Sequence, residues 1–163
     1  SLADVVIGMI EYVPHDLTAQ AHQIVKDNPS PQDFDVVSPS EIQRIPVPRV
    51  LNASKGKRPI DIKIDELLYM RFGVHKVQVG AVEQLVHTSQ LRAIGYAIHY
   101  AGRYIDGQRS IMEICRQVLA DIREKGLDCL SDREARGDFA EFRSYELAAT
   151  LNRFRALKVE QRG

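Results

Sequence analysis

Residues 60–79 read IDIKIDELLYMRFGVHKVQV, and this stretch decides the fold class of the chain. The isoleucines of its first six residues alternate with charged residues, which is the period-two pattern of a strand with one buried face. Residues 67–72 and 74–79 form two further apolar stretches around Gly73. The sequence therefore predicts three consecutive strands here.

Three helices are predicted after these strands. The first begins at residue 88 or 89 and ends at the Asp106-Gly107 turn. Its apolar stripe consists of Leu91, Ile94, Ile98, Ala101 and Ile105. The second begins at Ser110, which can form a capping box with Glu113, and ends at Gly126.

The third helix is capped by Ser144 and is followed by a possible short strand at residues 157–160. Its inward positions are Leu147, Ala148, Leu151 and Phe154. Residues 60–163 are therefore predicted to form a small mixed α+β domain of about three strands and three helices.

The N-terminal residues predict a different structure. Residues 4–10 (DVVIGMI) are a nearly unbroken apolar run, which is typical of a strand buried on both faces in a parallel sheet. Asp16 caps a predicted helix that runs to Asp27. Its buried face consists of Leu17, Ala21, Ile24 and Val25. We expect residues 1–27 to be the closing edge of an α/β core and the chain to be part of a longer protein.

Residues 28–59 interrupt this pattern with prolines. Six of the seven prolines of the chain lie there, and the hydrophobic periodicity disappears. Because proline fixes φ and removes a backbone donor, we expect an extended arm that crosses a surface rather than folding on it. The second half of the arm is basic, with Arg44, Arg49, Lys55, Lys57 and Arg58 against one acid, Glu41.

The composition is that of an ordinary globular protein and excludes several functions. The chain has 163 residues, 22 basic and 22 acidic side chains and 44% hydrophobic residues. No apolar run is long enough to cross a membrane. Cys115 and Cys129 lie too far apart for a metal or redox pair, and neither histidines at ligand spacing nor a phosphate-binding loop occur. We therefore predict no catalytic residue and no metal site.

Two groups of residues are candidates for binding nucleic acid. The basic strap, residues 54–59, contains Lys55, Lys57 and Arg58. A stripe on the first predicted helix after the strands carries Arg92, Tyr96, His99 and Arg103. Guanidinium groups bind phosphates and aromatic rings stack on bases. The alternatives are a solvated linker for the strap, and packing residues beside a solvated face for the stripe.

Five ordered motifs carry a resemblance to a known family. They are DVVI (4–7) with EYVPHDLT (11–18), SKGKR (54–58), AVEQLV (81–86), SQLRAI (89–94), and GD (137–138) ahead of YELAATLNR (145–153). In this order they resemble the C-terminal part of the predicted ABC-class ATPase family. That family has bacterial and archaeal members and a kinetoplastid mitochondrial branch linked to RNA editing.

The resemblance implies an order of three regions within an α+β chain. Residues 1–27 would be the last strand and helix of an ABC-type α/β nucleotide-binding core, 28–59 a proline-rich arm and 60–163 the C-terminal domain. In the family the nucleotide-binding motifs lie upstream, so ATP and Mg²⁺ would be bound mainly outside this chain. The resemblance also implies RNA as a partner and a homodimer. The residues it offers for holding phosphate or RNA are Lys55, Lys57, Arg58, Ser89, Gln90 and Arg92.

Different functions remain open at this point. In the first, the chain couples ATP binding and hydrolysis by its parent protein to RNA binding or processing, without hydrolysing ATP alone. In the second, it is a stand-alone nucleic-acid or partner-binding module without ATPase activity. A third is a dimerisation region. The resemblance implies a mitochondrial location for the kinetoplastid branch and a cytoplasmic one otherwise, with no membrane partner.

Overall fold

A computed structural model describes residues 4–28, 43–48, 51–131 and 137–162. The chain divides into two compact units, Ser1–Val37 and Ser38–Gly163. Over the described residues the fold is mixed α+β, with three small sheets and four α-helices, which confirms the predicted class. The first half of the proposed arm, residues 29–42, lies outside the described residues, as does Arg49.

The first unit contains a hairpin and one helix. Strand β1 (Ile7–Ile10) pairs antiparallel with β2 (Val13–Asp16), and helix α1 (Thr18–Asp27) follows. The predicted strand buried in a parallel sheet is wrong, since no residue of β1 is buried. The physical reason is local: Glu11 and Tyr12 both have positive φ, 49° and 64°, which closes a two-residue turn and reverses the chain.

Helix α1 also differs from its prediction. It begins at Thr18 rather than directly after Asp16, although the Asp16 carboxylate accepts a hydrogen bond from the Thr18 N–H at 2.9 Å. The expected buried face is wrong, because no residue of the helix is buried and Ile24 and Val25 are 55% and 47% exposed.

The second unit contains the main hydrophobic core. Its elements are β3 (Gln43–Pro46), β4 (Ile62–Asp65), β5 (Tyr69–Phe72), β6 (His75–Gln78), α2 (Thr88–Ala101), α3 (Ile111–Lys125), α4 (Ser144–Arg153) and β7 (Val159–Arg162). Short 3-10 turns follow α2 at Gly102–Tyr104 and α3 at Leu127–Leu130.

Strands β4, β5 and β6 form an antiparallel sheet in that order, which confirms the three strands predicted from residues 60–79. Met70, Phe72 and Val77 alternate with exposed or half-exposed positions and are at most 2% exposed. Gly73 turns the chain between β5 and β6 with a φ of +59°, and a Cβ there would lie 2.7 Å from the Asn52 carbonyl oxygen. This turn therefore requires glycine.

Helix α2 packs against β4 and β5. Its predicted stripe is confirmed, since Leu91, Ile94, Ile98 and Ala101 are all fully buried. The helix ends at Ala101 and gives way to a 3-10 turn, so it is shorter than the stripe predicted.

The predicted N-terminal cap is confirmed for α3 and is wrong for α4. At α3 the predicted box is confirmed, because the Ser110 hydroxyl accepts from the Glu113 N–H at 3.3 Å and the Glu113 carboxylate accepts from the Ser110 N–H at 2.7 Å. Gly126 ends this helix with a φ of +80°. Ser144 is the first residue of α4 and not its cap, which is Arg143.

The second half of the proposed arm is partly folded against the domain. Strand β3 pairs antiparallel with β7, with Gln43 opposite Arg162 and Pro46 opposite Val159. The expectation of an arm that crosses a surface without folding on it is wrong here, because Ile45 and Pro46 are buried. Pro46 is compatible with this sheet since each strand has one neighbour, and a missing N–H is tolerated at an edge.

Candidate nucleic-acid interface

The predicted basic strap is a tight turn. The Lys55 N–H donates to the Arg58 carbonyl at 3.0 Å and the Arg58 N–H to the Lys55 carbonyl at 3.1 Å. Gly56 has a φ of +59°, as a two-residue hairpin turn requires at its first central position. Lys55, Lys57 and Arg58 are exposed, and Arg58 Nη1 lies 3.3 Å from Asp61 Oδ1. The turn thus holds three cations close together.

Three predicted residues of α2 hold the segment that precedes α4. The side-chain oxygen of Gln90 accepts from backbone N–H groups at the start of α2, and its nitrogen donates to the Glu141 carbonyl at 3.2 Å. Arg92 Nη1 lies 3.3 Å from Asp138 Oδ2. The Ser89 carbonyl accepts a hydrogen bond from the same segment at 3.4 Å. These contacts give the side chains of Gln90 and Arg92 a role in the fold, whereas Ser89 contributes its backbone carbonyl.

Two further residues of the predicted stripe, Tyr96 and Arg103, contact aromatic rings of the same domain. Tyr96 is 8% exposed, and its ring centroid lies 5.1 Å from that of Phe139. The guanidinium carbon of Arg103 lies 4.3 Å from the centre of the Tyr100 ring. Because the Tyr96 ring faces the core, it fills the packing role that was the alternative for this stripe, and we leave it out of the interface proposed below.

A different concentration of charge lies on the solvent side of β4–β5–β6, which we call the outer sheet face. It consists of Lys63, Asp65, Tyr69, Arg71, Lys76 and Gln78. The strand register places Lys63 opposite Arg71, and Arg71 opposite Lys76. Because neighbouring strands lie about 4.8 Å apart, these three cations form one row about 10 Å long across the sheet.

A buried carboxylate fixes one side of this row. Asp61 is 4% exposed, and its two oxygens face Arg58 at 3.3 Å and Arg71 at 3.5 Å. Its backbone N–H donates to the Ala53 carbonyl, and its carbonyl accepts from the Gly73 N–H. A buried charge is tolerated when it is paired and held in this way. Asp61 therefore places the basic strap directly beside the row.

An aromatic ring lies next to the row. Tyr69 is half-buried, opposite Asp65 on one side and Gln78 on the other. The Lys76 ammonium lies 3.7 Å from the centre of the Tyr69 ring, a cation–π contact. The outer sheet face thus combines cations with a ring, the two kinds of group that bind single-stranded nucleic acids.

The outer sheet face continues into a groove at its β6 edge, which we call the β6-edge groove. Its volume is about 490 Å³. It is lined by Tyr69, Lys76, Gln78, Ala81, Asn152, Arg153 and Arg155. Two of these side chains are fixed from behind: Arg153 donates to the Ala149 and Ala81 carbonyls at 3.1 and 3.3 Å, and Asn152 Oδ1 accepts from Arg44 Nη1.

The outer sheet face was missed by the sequence analysis, although part of its signal was available. The alternation in residues 60–79 already places the charged positions of each strand on one face. That three cations meet in one row depends on the register, which the turns between the strands determine. The basic C-terminal residues Arg153 and Arg155 reach the same surface only through the position of α4.

Metal sites, reactive cysteines and membrane-spanning helices are the other features to consider in the described part of the chain. These residues contain no group of three or more histidine, cysteine or acidic side chains that could hold a metal ion. Burial raises the pKa of the Cys115 thiol to about 12, which keeps it protonated at neutral pH. None of the described helices has the length and apolar character needed to span a membrane.

The fold and the surface together define a small α+β domain with a cationic, ring-bearing sheet face. Residues 61–160 match the family described as the MRB1590 C-terminal domain, and this chain belongs to that family. The family is associated with kinetoplastid RNA editing. No curated protein matches the chain. The resemblance to the predicted ABC-class ATPase family remains a prediction.

Proposed function

We propose that this chain is an RNA-binding domain of a mitochondrial RNA-editing protein and that it binds RNA through the outer sheet face. The observation that carries the proposal is the row of Lys63, Arg71 and Lys76 across three strands. The family to which the chain belongs supports the editing context. The chain as a whole has no net charge, so the row is a local feature and not a consequence of composition.

Three cations in one row are unfavourable for the sheet itself. Like charges directly opposite each other on neighbouring strands destabilise a sheet, by up to about 1 kcal/mol a pair. Asp61 partly neutralises Arg71, and the Tyr69 ring attracts Lys76. The phosphates of a bound strand would relieve the remaining repulsion, and departures of this kind from sheet-building rules are expected at functional sites.

The predicted strap fits the same surface. Arg58 and Arg71 share Asp61, so Lys55 and Lys57 lie on a turn that continues the row. A nucleic-acid strand that crosses the sheet could therefore reach cations at both ends of its path. We retain Lys55, Lys57 and Arg58 as candidate phosphate contacts, and we propose no direct RNA contact for Ser89, Gln90 or Arg92.

Removing the two lysines of the row tests the proposal. We expect Lys63→Ala/Lys76→Ala to weaken binding of a short fluorescein-labelled single-stranded RNA about tenfold, since two exposed charge contacts contribute roughly 0.7 kcal/mol each. The plot of log K against log salt should also become less steep, by about 0.7 for each phosphate that the variant no longer neutralises. Fluorescence anisotropy between about 50 and 200 mM salt measures both quantities.

The matched control removes two cations from a different surface. Arg116 and Arg123 are exposed on α3, so Arg116→Ala/Arg123→Ala changes the net charge equally. We expect this variant to keep the affinity and salt slope of the wild type to within about twofold. Equal losses in both double variants would show a diffuse effect of charge and would contradict a site on the outer sheet face.

The finer proposal concerns the longer protein. From the family resemblance we infer that the parent binds ATP with Mg²⁺, forms a dimer and couples ATP hydrolysis to RNA binding. The strap and outer sheet face would then be the part that senses RNA. ATP turnover by the longer protein, with and without RNA, tests this coupling separately from RNA binding by the domain.

One observation favours the alternative of a stand-alone binding module. Ser38–Gly163 is a compact unit with its own hydrophobic core. A unit of this kind can fold and bind RNA without an ATPase partner. An ATP turnover of the longer protein that RNA leaves unchanged, together with RNA binding by this chain, would favour the module.

A further inference from the structure

We propose that the β6-edge groove is a subsite for one unpaired nucleotide, which makes the domain selective for single-stranded over duplex RNA. The inference rests on the proposed function, because the outer sheet face supplies the phosphate contacts on either side. The groove volume of about 490 Å³ lies in the range of ordinary small-ligand sites. Its lining combines a ring, two side-chain amides and three cations.

The ring of Tyr69 is the stacking surface. In the structure the Lys76 ammonium lies over this ring at 3.7 Å from its centre. A phosphate that binds at the row attracts the same ammonium. When the ammonium moves away from Tyr69 towards the phosphate, the ring becomes accessible to a base. Bases of any sequence stack on aromatic side chains, and the contact depends little on salt. Lys76 therefore links phosphate binding on the sheet to base binding in the groove.

The lining of the groove also contains two amides, which can hydrogen-bond with the edge of a base. Gln78 is opposite Tyr69 in the strand register, and Asn152 lines the same groove. Arg44 donates to Asn152 Oδ1, so the nitrogen of that amide is the part that can donate to a base. Neither amide carries charge, so the loss of either one should leave the salt dependence of binding unchanged.

The cations of the groove have separate roles. Arg153 is held by two backbone carbonyls and forms a fixed, positively charged wall. Arg155 is exposed at the groove and is the candidate for the phosphate of the bound nucleotide. In a duplex the base faces are stacked on their neighbours and cannot reach Tyr69 without unpairing, so the groove would exclude paired RNA.

Two variants test the subsite with the full chain. We expect Tyr69→Leu to weaken binding of single-stranded RNA about tenfold and Gln78→Ala about threefold, with no change in the salt slope. Binding of inorganic polyphosphate, which has no bases, should stay unchanged with Gln78→Ala and should not weaken with Tyr69→Leu, because that change releases Lys76 from the ring. A 2-aminopurine placed in the RNA should lose fluorescence on binding to the wild type and less so with Tyr69→Leu. Gln117→Ala, at an exposed position of α3, is the matched control for Gln78→Ala.

The wild type also separates failure of the subsite from failure of the function. Binding of single-stranded and duplex RNA with equal affinity, unaffected by Tyr69→Leu or Gln78→Ala, overturns the subsite and leaves RNA binding intact. Binding of neither RNA overturns the proposed function and the subsite with it. If Tyr69→Leu unfolds the sheet, two other measurements test the subsite. They are the RNA affinity of Gln78→Ala, a change at an exposed position, and the 2-aminopurine fluorescence with the wild type. Equal binding of single-stranded DNA supports a subsite that recognises a base and not the ribose.

Discussion

At the scale of single residues, a buried carboxylate joins α3 to the end of α2. Asp121 is 6% exposed; its Oδ2 accepts hydrogen bonds from the hydroxyls of Tyr100, at 3.1 Å, and Tyr104, and Lys125 lies 3.6 Å from its Oδ1. The hydrogen bond from Tyr104 holds the pKa of Asp121 below its usual value, against the effect of burial. A buried charge that is paired on both oxygens is compatible with a stable core.

This network predicts a loss of stability at alkaline pH. The hydrogen bond to Asp121 and burial raise the pKa of Tyr104 from 10.0 to about 12. Because the pKa is raised on folding, the contribution of protonated Tyr104 to stability is complete below about pH 10, the pKa in the unfolded chain. It is lost as the pH rises through about 12. We expect the midpoint of thermal unfolding to fall across this interval, and to fall less in Tyr104→Phe.

The same network has an acidic counterpart that serves as a check. Because the pKa of Asp121 is lowered, its contribution is present above the unfolded pKa and disappears as the pH falls through the folded pKa. Asp121→Asn should therefore show a smaller loss of stability on acidification than the wild type. If stability depended on pH identically in the wild type and both variants, groups outside this network would control that dependence.

At the scale of elements, α2 lies so close to the sheet that one position has no room for a side chain. A Cβ on Gly95 would lie 2.7 Å from Ile62 Cγ2 and 2.9 Å from Met70 Sδ. Ile62 belongs to β4 and Met70 to β5, so glycine at this position permits the contact between the helix and both strands. This contact also holds the sheet that carries the cationic row.

Adding one methyl group at this position should be costly. Alanine is a better helix former than glycine by about 1 kcal/mol, but overpacking a core costs about 1–3 kcal/mol. We expect Gly95→Ala to lower the free energy of unfolding by up to about 2 kcal/mol in urea denaturation. Gly102→Ala is the control, because a Cβ there meets nothing within 4 Å and the residue has a helical φ of −52°. That control should leave stability unchanged or raise it slightly.

At the scale of the whole molecule, the second unit extends further towards the N-terminus than its three-stranded sheet. Ile45, Leu51 and Ala53 precede this sheet in the chain, and they are 3%, 8% and 1% exposed. Strand β3 is the partner of β7, which lies near the other end of the sequence. A fragment that begins at Ile60 lacks these buried side chains and this partner strand.

Truncation measures this dependence. We expect residues 38–163 to unfold in one cooperative transition. Residues 60–163 should be less stable by about 3–6 kcal/mol, because two large buried side chains, Ile45 and Leu51, are removed and each contributes about 1.5–3 kcal/mol. Thermal unfolding followed by circular dichroism compares the two fragments. Equal midpoints would contradict the contribution of β3 and of the residues that follow it. RNA binding by the longer fragment would also locate the proposed site in the second unit.

The helices and the three-stranded sheet could be predicted from the sequence because their signals are local. Alternation in residues 60–79, the capping box of Ser110 and Glu113, and the spacing of the α2 stripe each lie within a few residues of the structure they determine. The N-terminal strand was misjudged for a related reason. Its apolar run suggested a buried strand, whereas the positive φ of Glu11 and Tyr12, residues with no special preference for that conformation, makes a hairpin.

Only the tertiary structure decided which side chains meet. The pairing of β3 with β7 and the approach of Arg153 and Arg155 to β6 join residues far apart in the chain, and no local pattern specifies such contacts. The same is true of Tyr96. Its position on α2 was compatible with stacking on a base or with packing in the core, and the contact with Phe139 shows that it packs in the core. Local sequence thus determined β4, β5, β6 and the helices α2, α3 and α4 with their buried faces, but not the hairpin β1–β2, the exposed helix α1 or the strand β3. The candidate site was determined by strand register and helix packing, because a binding surface depends on distances between elements and not on periodicity within one.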